Sequence, residues 1–299
     1  MKISVFTVML PDCTLDRTVE LLSRNGYDGV EWRFTKSDRA KREETPSFWG
    51  NNLSTVQSDA SEEELVALKR LTDDAGLEVP NVAAYIQSGD LIATERAMRA
   101  AKVLGAPSIR IGVPGYDRSR HYADLLKEAR EYLHETQELS RTYGVKGAIE
   151  VHFGNIASSA TLARQLVDGF DADRIGVIYD PGNMVYEGFE QYKLGIEVLG
   201  DYLAHVHVKN AVWQKTNAAM PVSVGGAGGA VSSEQAKPHD PVWRAAWAPI
   251  AEGIVHWPQV IADLRAVGYD GWLSFEDFSG SAPSETLLRE NIAYIHSLL

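Results

Sequence analysis

The chain has 299 residues, of which 44% are hydrophobic and 23% charged, and its formal net charge at pH 7 is −12. This length and apolar content allow a large buried core, whereas the negative charge disfavours nucleic acid and anionic membrane surfaces as partners. The single cysteine, Cys13, excludes an internal disulfide and a cysteine-based zinc site. Because the N-terminus lacks the pattern of a secretory leader and no run reaches about 18 apolar residues, we expect a cytoplasmic protein without a membrane span.

Short apolar runs alternate along the chain with longer amphipathic stretches. The apolar runs predict strands at 3–9, 29–33, 78–85, 108–112, 146–151, 175–179, 203–208 and 271–275. The amphipathic stretches predict helices at 15–25, 62–75, 94–104, 121–143, 159–170, 189–199, 257–267 and 286–298. Glycine follows several of these helices, as at Gly26 and Gly144, where a left-handed residue can end a helix. The strands are apolar on both faces, which is typical of a parallel sheet covered by helices.

Eight strand-then-helix units in a chain of this length predict an α/β fold, namely a (β/α)8 TIM barrel that forms one domain over residues 1–299. The alternative is a doubly wound open sheet, which needs only six strands. No G-x-G-x-x-G motif follows the first strand, as it would in a dinucleotide-binding sheet of that type. The barrel is therefore the more economical interpretation.

Two connections are longer than the 2–6 residues usual in such folds. Residues 34–60 follow the second strand, and residues 210–251 follow the seventh and contain the glycine-rich run 225–229. Both leave the carboxyl ends of strands, the face where barrel active sites lie. They could form lids or side walls over a pocket, or alternatively a subunit contact or a disordered segment.

Polar side chains occur where four of the late strands end. These residues are Glu150, Asp180, His207 and Glu276. In a barrel all four strand ends meet at one rim, so the side chains could converge near the axis. Three carboxylates and one imidazole suit Mn²⁺, Mg²⁺ or Co²⁺ better than a structural zinc ion, which prefers cysteine and histidine.

Each of these residues also has an ordinary structural interpretation. An acidic residue at a strand end can cap a helix or form a salt bridge, and a histidine in a strand can be a core residue. Asp180-Pro181-Gly182-Asn183 by itself predicts a β-turn. Four such groups in one pocket would repel one another and resist burial, whereas a bound divalent cation would remove that cost. The combination therefore favours a metal site.

Three segments resemble the xylose isomerase-like family of metal-dependent TIM barrels, which includes ketose 3-epimerases, hydroxypyruvate isomerase, inosose dehydratase and, more distantly, endonuclease IV. They are NGYDGVE at 25–31, HVHVKN at 205–210 and GYDGWLSFE at 268–276. The second segment matches the family pattern H-x-H-x-K-D except that Asn210 stands where aspartate is frequent. Glu31 ends the first segment. Its ordinary structural interpretation is a salt bridge with Arg33 or Arg110.

The resemblance implies roles for individual residues. Glu150, Asp180, His207 and Glu276 would bind one divalent metal ion, with Mn²⁺ the first choice and Mg²⁺, Co²⁺ or Zn²⁺ the others. Glu150 and Glu276 would also be the catalytic acid/base pair. His152, Asn183 and Lys209 would contact the substrate, although His152 and Lys209 could equally be surface residues. His205, deeper in the barrel, fits a core or supporting role, and relatives of this kind are often homodimers or homotetramers.

The activity implied is isomerisation or epimerisation of a keto sugar or sugar derivative, a small-molecule carbohydrate substrate. A glutamate would remove the proton next to the carbonyl, and the metal would stabilise the resulting enediolate. A lyase on the same scaffold, similar to inosose dehydratase or a keto-glycoside eliminase, shares this first half-reaction and is the main alternative. An abasic-site endonuclease would need more histidines and a basic surface, and a non-catalytic sugar-binding subunit would usually lack part of the ligand set.

Aromatic residues are the candidates for the walls of the pocket. They are Trp32, Phe48, Trp49, Tyr85, Trp213 and Phe278. Each of them could instead pack in the core or at an interface.

Overall fold

Strands and helices alternate along the chain in a computed structural model that describes residues 1–215 and 242–299. The strands are β1 (Lys2–Phe6), β2 (Gly29–Thr35), β3 (Val56–Gln57), β4 (Val82–Ala84), β5 (Ser108–Ile111), β6 (Lys146–Glu150), β7 (Ile175–Tyr179), β8 (Leu203–Val208), β9 (Ala211–Lys215), β10 (Trp243–Trp247) and β11 (Trp272–Phe275). The α-helices are α1 (Leu15–Asn25), α2 (Glu62–Asp74), α3 (Leu91–Leu104), α4 (Tyr122–Tyr143), α5 (Ala160–Val167), α6 (Pro181–Tyr186), α7 (Tyr192–Leu199), α8 (Trp257–Ala266) and α9 (Ser284–His296).

Eight parallel strands close into a barrel in the order β1-β2-β4-β5-β6-β7-β8-β11, and β11 returns to pair with β1. The short strand β3 pairs in parallel with the last two residues of β2, and β9 and β10 form a separate antiparallel hairpin. The predicted (β/α)8 barrel is therefore confirmed, and the open-sheet alternative is wrong. All eight barrel strands overlap the eight runs predicted from the sequence.

Two predicted strands are shorter by several residues in the structure, and three others by a single residue. The first ends at Phe6, because Thr7–Met9 turn into a 3₁₀ helix. The predicted strand 78–85 is reduced to Val82–Ala84. Pro80 lies in this segment and has no N–H to donate to a neighbouring strand, so the regular pairing begins only after it.

Local sequence signals explain where several helices begin and end. Ser61 and Glu64 form a reciprocal capping box at the start of α2. Gly26 follows α1 with a φ of 79°, the left-handed conformation that ends a helix. None of the helices in the described ranges combines the length and apolar character needed to cross a bilayer.

The core fills the barrel and the layer between the barrel and the helices. Buried valines of neighbouring strands, such as Val5, Val30 and Val206, lie in it, and helical residues such as Leu22 and Leu288 pack onto it. Most of the buried charged residues in the described ranges lie toward the carboxyl ends of the barrel strands, namely Glu31, Arg33, Glu150, Asp180, Lys209, Glu276 and Asp277, whereas Asp263 lies on α8. This end of the barrel therefore carries the charged groups of its interior.

The two long connections both start at this end of the barrel. The first holds a 3₁₀ turn at Arg39–Lys41 and β3, and the second begins with β9 and returns through β10. The glycine-rich run 225–229 lies outside the described residues. What the structure shows of the second connection is its base, a hairpin whose strand β10 ends at Trp247.

Candidate metal centre

The four residues predicted as metal ligands come together at the carboxyl ends of four neighbouring strands. Glu150 is the last residue of β6, Asp180 and Glu276 directly follow β7 and β11, and His207 lies near the end of β8. One candidate ligand atom from each lies within 4.8 Å of those of the other three. All four side chains are buried, and Asp180 and His207 have no exposed surface.

Asp180 has two roles in the local structure. It is the N-cap of α6, accepting a 2.8 Å hydrogen bond from the Asn183 amide N–H at Oδ1. Its Oδ2 accepts a second 2.8 Å bond from Asn183 Nδ2 and faces the other ligands. The turn predicted at 180–183 is thus the first turn of a short helix, because Pro181 and the aspartate cap favour helix initiation. Capping orients this carboxylate toward the site.

The carboxylate of Glu31, which is not one of the four predicted ligands, contacts both histidines of β8. Its oxygens lie 3.3 Å from His207 Nε2 and 3.0 Å from His205 Nε2, and it accepts a 2.7 Å hydrogen bond from Asn81. With Nε2 engaged by Glu31, the other nitrogen of His207, Nδ1, points at the ligand carboxylates and lies 3.1 Å from Glu150. Such carboxylate–histidine pairs orient metal ligands in many proteins.

Sequence reasoning missed this contact. The proposed salt bridge of Glu31 with Arg33 or Arg110 is wrong, since its partners in the described chain are histidines and an asparagine. The signal available was positional, because Glu31 ends the family-like segment 25–31 and lies in β2. His205 is buried against Glu31, consistent with the supporting role expected of it.

Two basic side chains share the carboxylates of this cluster. Lys209 Nζ lies 3.0 Å from Asp180 Oδ2, contacts Glu276 and lies 3.2 Å from Asn183 Oδ1. Arg110 donates a 2.8 Å hydrogen bond to Glu150. Four carboxylates, including Glu31, therefore face two cations, and two negative charges remain. One divalent cation would balance them, so the donor set and its charge both fit such an ion.

The environment moves the pKa values of these groups in opposite directions. Burial raises the pKa of Glu276 to about 7, although Lys209 opposes the shift. Burial also opposes ionisation of Glu150, but the Arg110 guanidinium and His207 outweigh it and hold the pKa of Glu150 well below its usual range. The surrounding carboxylates, Glu31 foremost, overcome burial and raise the pKa of His207. Without a metal ion, protons and Lys209 take over part of its electrostatic role.

His152 lies beside the cluster and outside the set of four. Its Nδ1 donates to the Phe153 carbonyl oxygen at 2.7 Å, and the two rings stack with centroids 4.5 Å apart. Burial, together with the nearby Lys209 charge, lowers the pKa of His152. The imidazole is therefore neutral at pH 7, with Nε2 left as a hydrogen-bond acceptor.

Aromatic side chains cover Lys209 from above. The ring centroids of Trp247 and Phe278 lie 5.0 and 5.2 Å from its ammonium, and Phe48 and Trp49 pack against Phe278. Sequence reasoning missed Trp247, which the hairpin β9–β10 brings back over the barrel. Two of the proposed wall residues lie elsewhere: Trp32 is fully buried in the core, and Trp213 is exposed with its indole N–H on the Val185 carbonyl oxygen.

Asn210, the departure from the family pattern, has a structural explanation. Its Nδ2 donates to the carbonyl oxygens of Ile250 and Val255, and its Oδ1 accepts from the Ala211 and Val255 amides. A side-chain carbon at Gly253 would lie 1.9 Å from this Oδ1, so the close approach requires glycine. The amide joins the two ends of the long connection and is turned away from the metal ligands.

Solved structures resemble this chain over its whole length. The IOLI protein with a binding zinc atom is 15% identical, with a TM-score of 0.72 over 100% of this chain and 98% of that one. An L-ribulose 3-epimerase is 15% identical, with a TM-score of 0.69 over 100% and 94% of the two chains. The 3-keto-D-glucoside 4-epimerase YcjR of E. coli is 15% identical, with a TM-score of 0.68 over 99% of each chain. At this identity the likeness shows the fold alone.

One curated relative matches part of the chain. An inosose dehydratase of Geobacillus kaustophilus (strain HTA426) is 22% identical over 144 residues, which are 48% of this chain and 42% of that protein. The match therefore spans less than half of the relative's length. The sequence model of the family described as xylose isomerase-like TIM barrel matches residues 19–298, nearly the whole chain. Together with the closed barrel, this match shows that the chain belongs to the xylose isomerase-like TIM barrel family.

Proposed function

We propose that the protein is a divalent-metal-dependent isomerase or epimerase of a keto sugar or sugar derivative. The observation that carries the proposal is the convergence of Glu150, Asp180, His207 and Glu276, which are buried together. With the carboxylate of Glu31 included, two negative charges are left after Lys209 and Arg110 are counted. Carboxylate-rich donor sets favour hard or borderline cations, so we propose Mn²⁺, with Mg²⁺, Co²⁺ and Zn²⁺ as the alternatives to test.

The reaction proposed is proton transfer next to a carbonyl group. A divalent cation at this site would polarise the carbonyl oxygen and so acidify the neighbouring C–H. Glu150 and Glu276 reach the cluster from β6 and β11, with β7 and β8 between them, and therefore from different sides. One carboxylate accepts the proton while the C–H electron pair moves toward the carbonyl. Return of the proton to the other carbon isomerises the sugar, and return to the opposite face epimerises it.

Three further residues are proposed to position the reactants. Lys209 reaches into the cluster and can donate to a substrate oxygen, and His152 can accept from a hydroxyl at Nε2. The Nδ2 group of Asn183 already donates hydrogen bonds to oxygens of Glu150, Asp180 and Val151. Its contribution to substrate binding is therefore through the carboxylates it holds.

The test is solvent exchange. The Mn²⁺-loaded protein is incubated in D₂O with a panel of ketoses, and mass spectrometry and NMR locate any deuterium. We expect exchange next to the carbonyl, and a loss of at least about 100-fold in Glu150→Gln and in Glu276→Gln, since general acid–base catalysis contributes on that order. Glu135→Gln, at an exposed position on α4, is the matched control. Absence of exchange with every ketose, sugar phosphate and cyclitol in the metal-loaded protein would refute the proposal.

The second candidate is a lyase, favoured by the partial match to an inosose dehydratase. Its first step is the same proton removal, but a leaving group on the next carbon departs and an enone forms. Ultraviolet absorbance of the product distinguishes the two reactions. Stereochemical scrambling without such absorbance would exclude the lyase.

A further inference from the structure

A buried arginine without an acidic partner lies at the mouth of the barrel. Arg33 stands two residues beyond Glu31 on the same face of β2, and only 7% of its surface is exposed. Its guanidinium donates to Thr55 Oγ1, while its Nε has no hydrogen-bond partner. Across residues 1–215 and 242–299 no carboxylate lies within 4 Å of it. Burying an unpaired cation is costly, so a counter-charge is expected from outside the described chain.

A second guanidinium, that of Arg110, lies against the same aromatic ring as Arg33 does, that of Tyr85. The central carbon of the Arg33 guanidinium lies 5.0 Å from the centroid of the Tyr85 ring, and that of Arg110 lies 4.6 Å from it. β2, β4 and β5 are neighbours in the barrel, and Arg33 is in register with Ala83 on β4. Arg33 and Arg110 therefore flank β4 from its two sides, and both lie against the ring of Tyr85. Arg110 also binds the candidate metal ligand Glu150, which places this ring and its two guanidiniums beside the metal centre.

The charge balance of the site indicates the sign and the magnitude of the charge that the missing partner carries. The carboxylates of the cluster, Lys209, Arg110 and a divalent cation together balance to zero, as described above. Arg33 then adds one positive charge, for which the described residues provide no counter-charge. A group with a single negative charge fits this excess, whereas a phosphate monoester carries about 1.5 to 2 negative charges at pH 7.

We infer that Arg33, with Tyr85 and Arg110 beside it, binds a carboxylate of the substrate, so that the substrate is a keto sugar acid. A guanidinium can hold a carboxylate with two parallel N–H···O hydrogen bonds, which also fixes the orientation of the sugar. The inference rests on the proposed function for the keto group, but the carboxylate contact itself requires no turnover. It can therefore be tested by binding alone.

The experiment is calorimetric titration of the Mn²⁺-loaded protein with three matched sugars. These are D-fructose, D-fructuronate and D-fructose 6-phosphate, which differ only at carbon 6. We expect D-fructuronate to bind at least tenfold more tightly than D-fructose, and Arg33→Met to remove that preference while changing the Kd for D-fructose less than twofold. Equal Kd values for D-fructuronate and D-fructose, or an unchanged preference in Arg33→Met, would overturn the inference. Tighter binding of the phosphate than of the carboxylate would overturn the assignment to a sugar acid.

Two further variants separate anion binding from a structural role of Arg33. Thr55→Val removes the hydroxyl that Arg33 contacts but keeps the cation, so the preference for D-fructuronate should persist. Loss of this preference in Thr55→Val, to the same extent as in Arg33→Met, would show that Arg33 only anchors the connection 34–60. Arg33→Lys keeps a charge without the planar fork and should weaken D-fructuronate binding at least threefold, and an unchanged Kd would count against the site. This variant decides the question if Arg33→Met does not fold.

Failure of the proposed function gives a different result. If none of the three sugars binds, acetate is titrated instead. Acetate binding that Arg33→Met abolishes would support the carboxylate site independently of the keto-sugar activity, which the solvent-exchange experiment tests. Absence of acetate binding as well would overturn the inference.

Discussion

At the position of Glu31, one buried carboxylate determines what the two histidines of β8 can do. It engages Nε2 of both rings and leaves His207 Nδ1 free to face Glu150. Orientation and basicity of a metal-binding imidazole depend on the group bound to its other nitrogen. Glu31 is thus a positioning residue for the metal centre, even though it is not one of the four ligands.

This role makes a prediction about metal affinity. We expect Glu31→Gln to raise the Kd for Mn²⁺ about 10- to 100-fold, because loss of such a supporting partner costs affinity on that scale. Calorimetric titration measures it, with circular dichroism confirming the fold. The control is Glu78→Gln, an exposed glutamate paired with Lys2, which should bind Mn²⁺ as the unaltered protein does. An unchanged Kd in folded Glu31→Gln would contradict the role.

A second prediction at this scale concerns Cys13, which is buried. Burial, reinforced by the neighbouring Asp12, raises the pKa of its thiol to about 12. Because the raised pKa keeps the group protonated, only about one molecule in 10,000 carries the reactive thiolate at pH 8. We expect Ellman's reagent to label one thiol per chain in guanidinium chloride and none in the native protein within minutes. Rapid stoichiometric labelling of the native protein would contradict this assignment.

Among the elements, the hairpin β9–β10 shows how the long connection after β8 is attached to the barrel. Its strand β10 carries Trp247 over Lys209, and Asn210 bonds to the backbone where the connection returns. Asn210 serves as donor and acceptor at once, which an aspartate carboxylate cannot do. The departure from the family pattern therefore reflects attachment of this connection and carries no information about isomerase against lyase chemistry.

The corresponding prediction is a loss of stability. Asn210→Asp should lower the free energy of unfolding by at least about 2 kcal/mol, because two buried carbonyl oxygens would lose their donor and face a charge. Urea titration followed by circular dichroism measures the change. Asn155→Asp is the matched control, since its Oδ1 only accepts a hydrogen bond from Ala157 and a carboxylate can do the same. Equal unfolding midpoints for the two variants would contradict this explanation of Asn210.

For the whole molecule, the main electrostatic feature is a buried acidic cluster in a chain that is already acidic overall. Arg110 and Lys209 neutralise part of this negative charge. The ligand carboxylates therefore repel one another less than three unpaired carboxylates would. With all four carboxylates ionised, two negative charges remain, and without a metal ion they are balanced only in part, by protons on Glu276 and His207. A cation bound here should therefore stabilise the fold.

Metal removal tests this expectation. At about 100 times its Kd, a ligand that binds only the native state stabilises it by about 2.7 kcal/mol. For a chain of this size we expect Mn²⁺ to raise the Tm by roughly 5 °C over the EDTA-treated protein in a thermal unfolding scan. Asp180→Asn should abolish the shift. No increase with any of Mn²⁺, Mg²⁺, Co²⁺ or Zn²⁺ would speak against a metal centre.

Much of the fold could be predicted because it depends on local pattern. Apolar runs of strand length and amphipathic helices repeat eight times, several of the helices end at a glycine, and that repetition specifies a barrel. The strand-end position of Glu150, Asp180, His207 and Glu276 was enough to bring them together, since parallel strands in a barrel share one rim. Helix α6 escaped prediction because its six residues are too few to show a helical period.

By itself, the sequence determined the barrel and the end of it that carries chemistry, since strand order and side-chain alternation follow from patterns within short segments. Only the tertiary structure decided which groups meet there: Glu31 with His207, 176 residues apart, Lys209 between Asp180 and Glu276, and Arg33 with Arg110 on one tyrosine ring. The physical reason is that periodicity specifies the face on which a side chain lies. The neighbour it meets depends on how strands distant in sequence pack side by side.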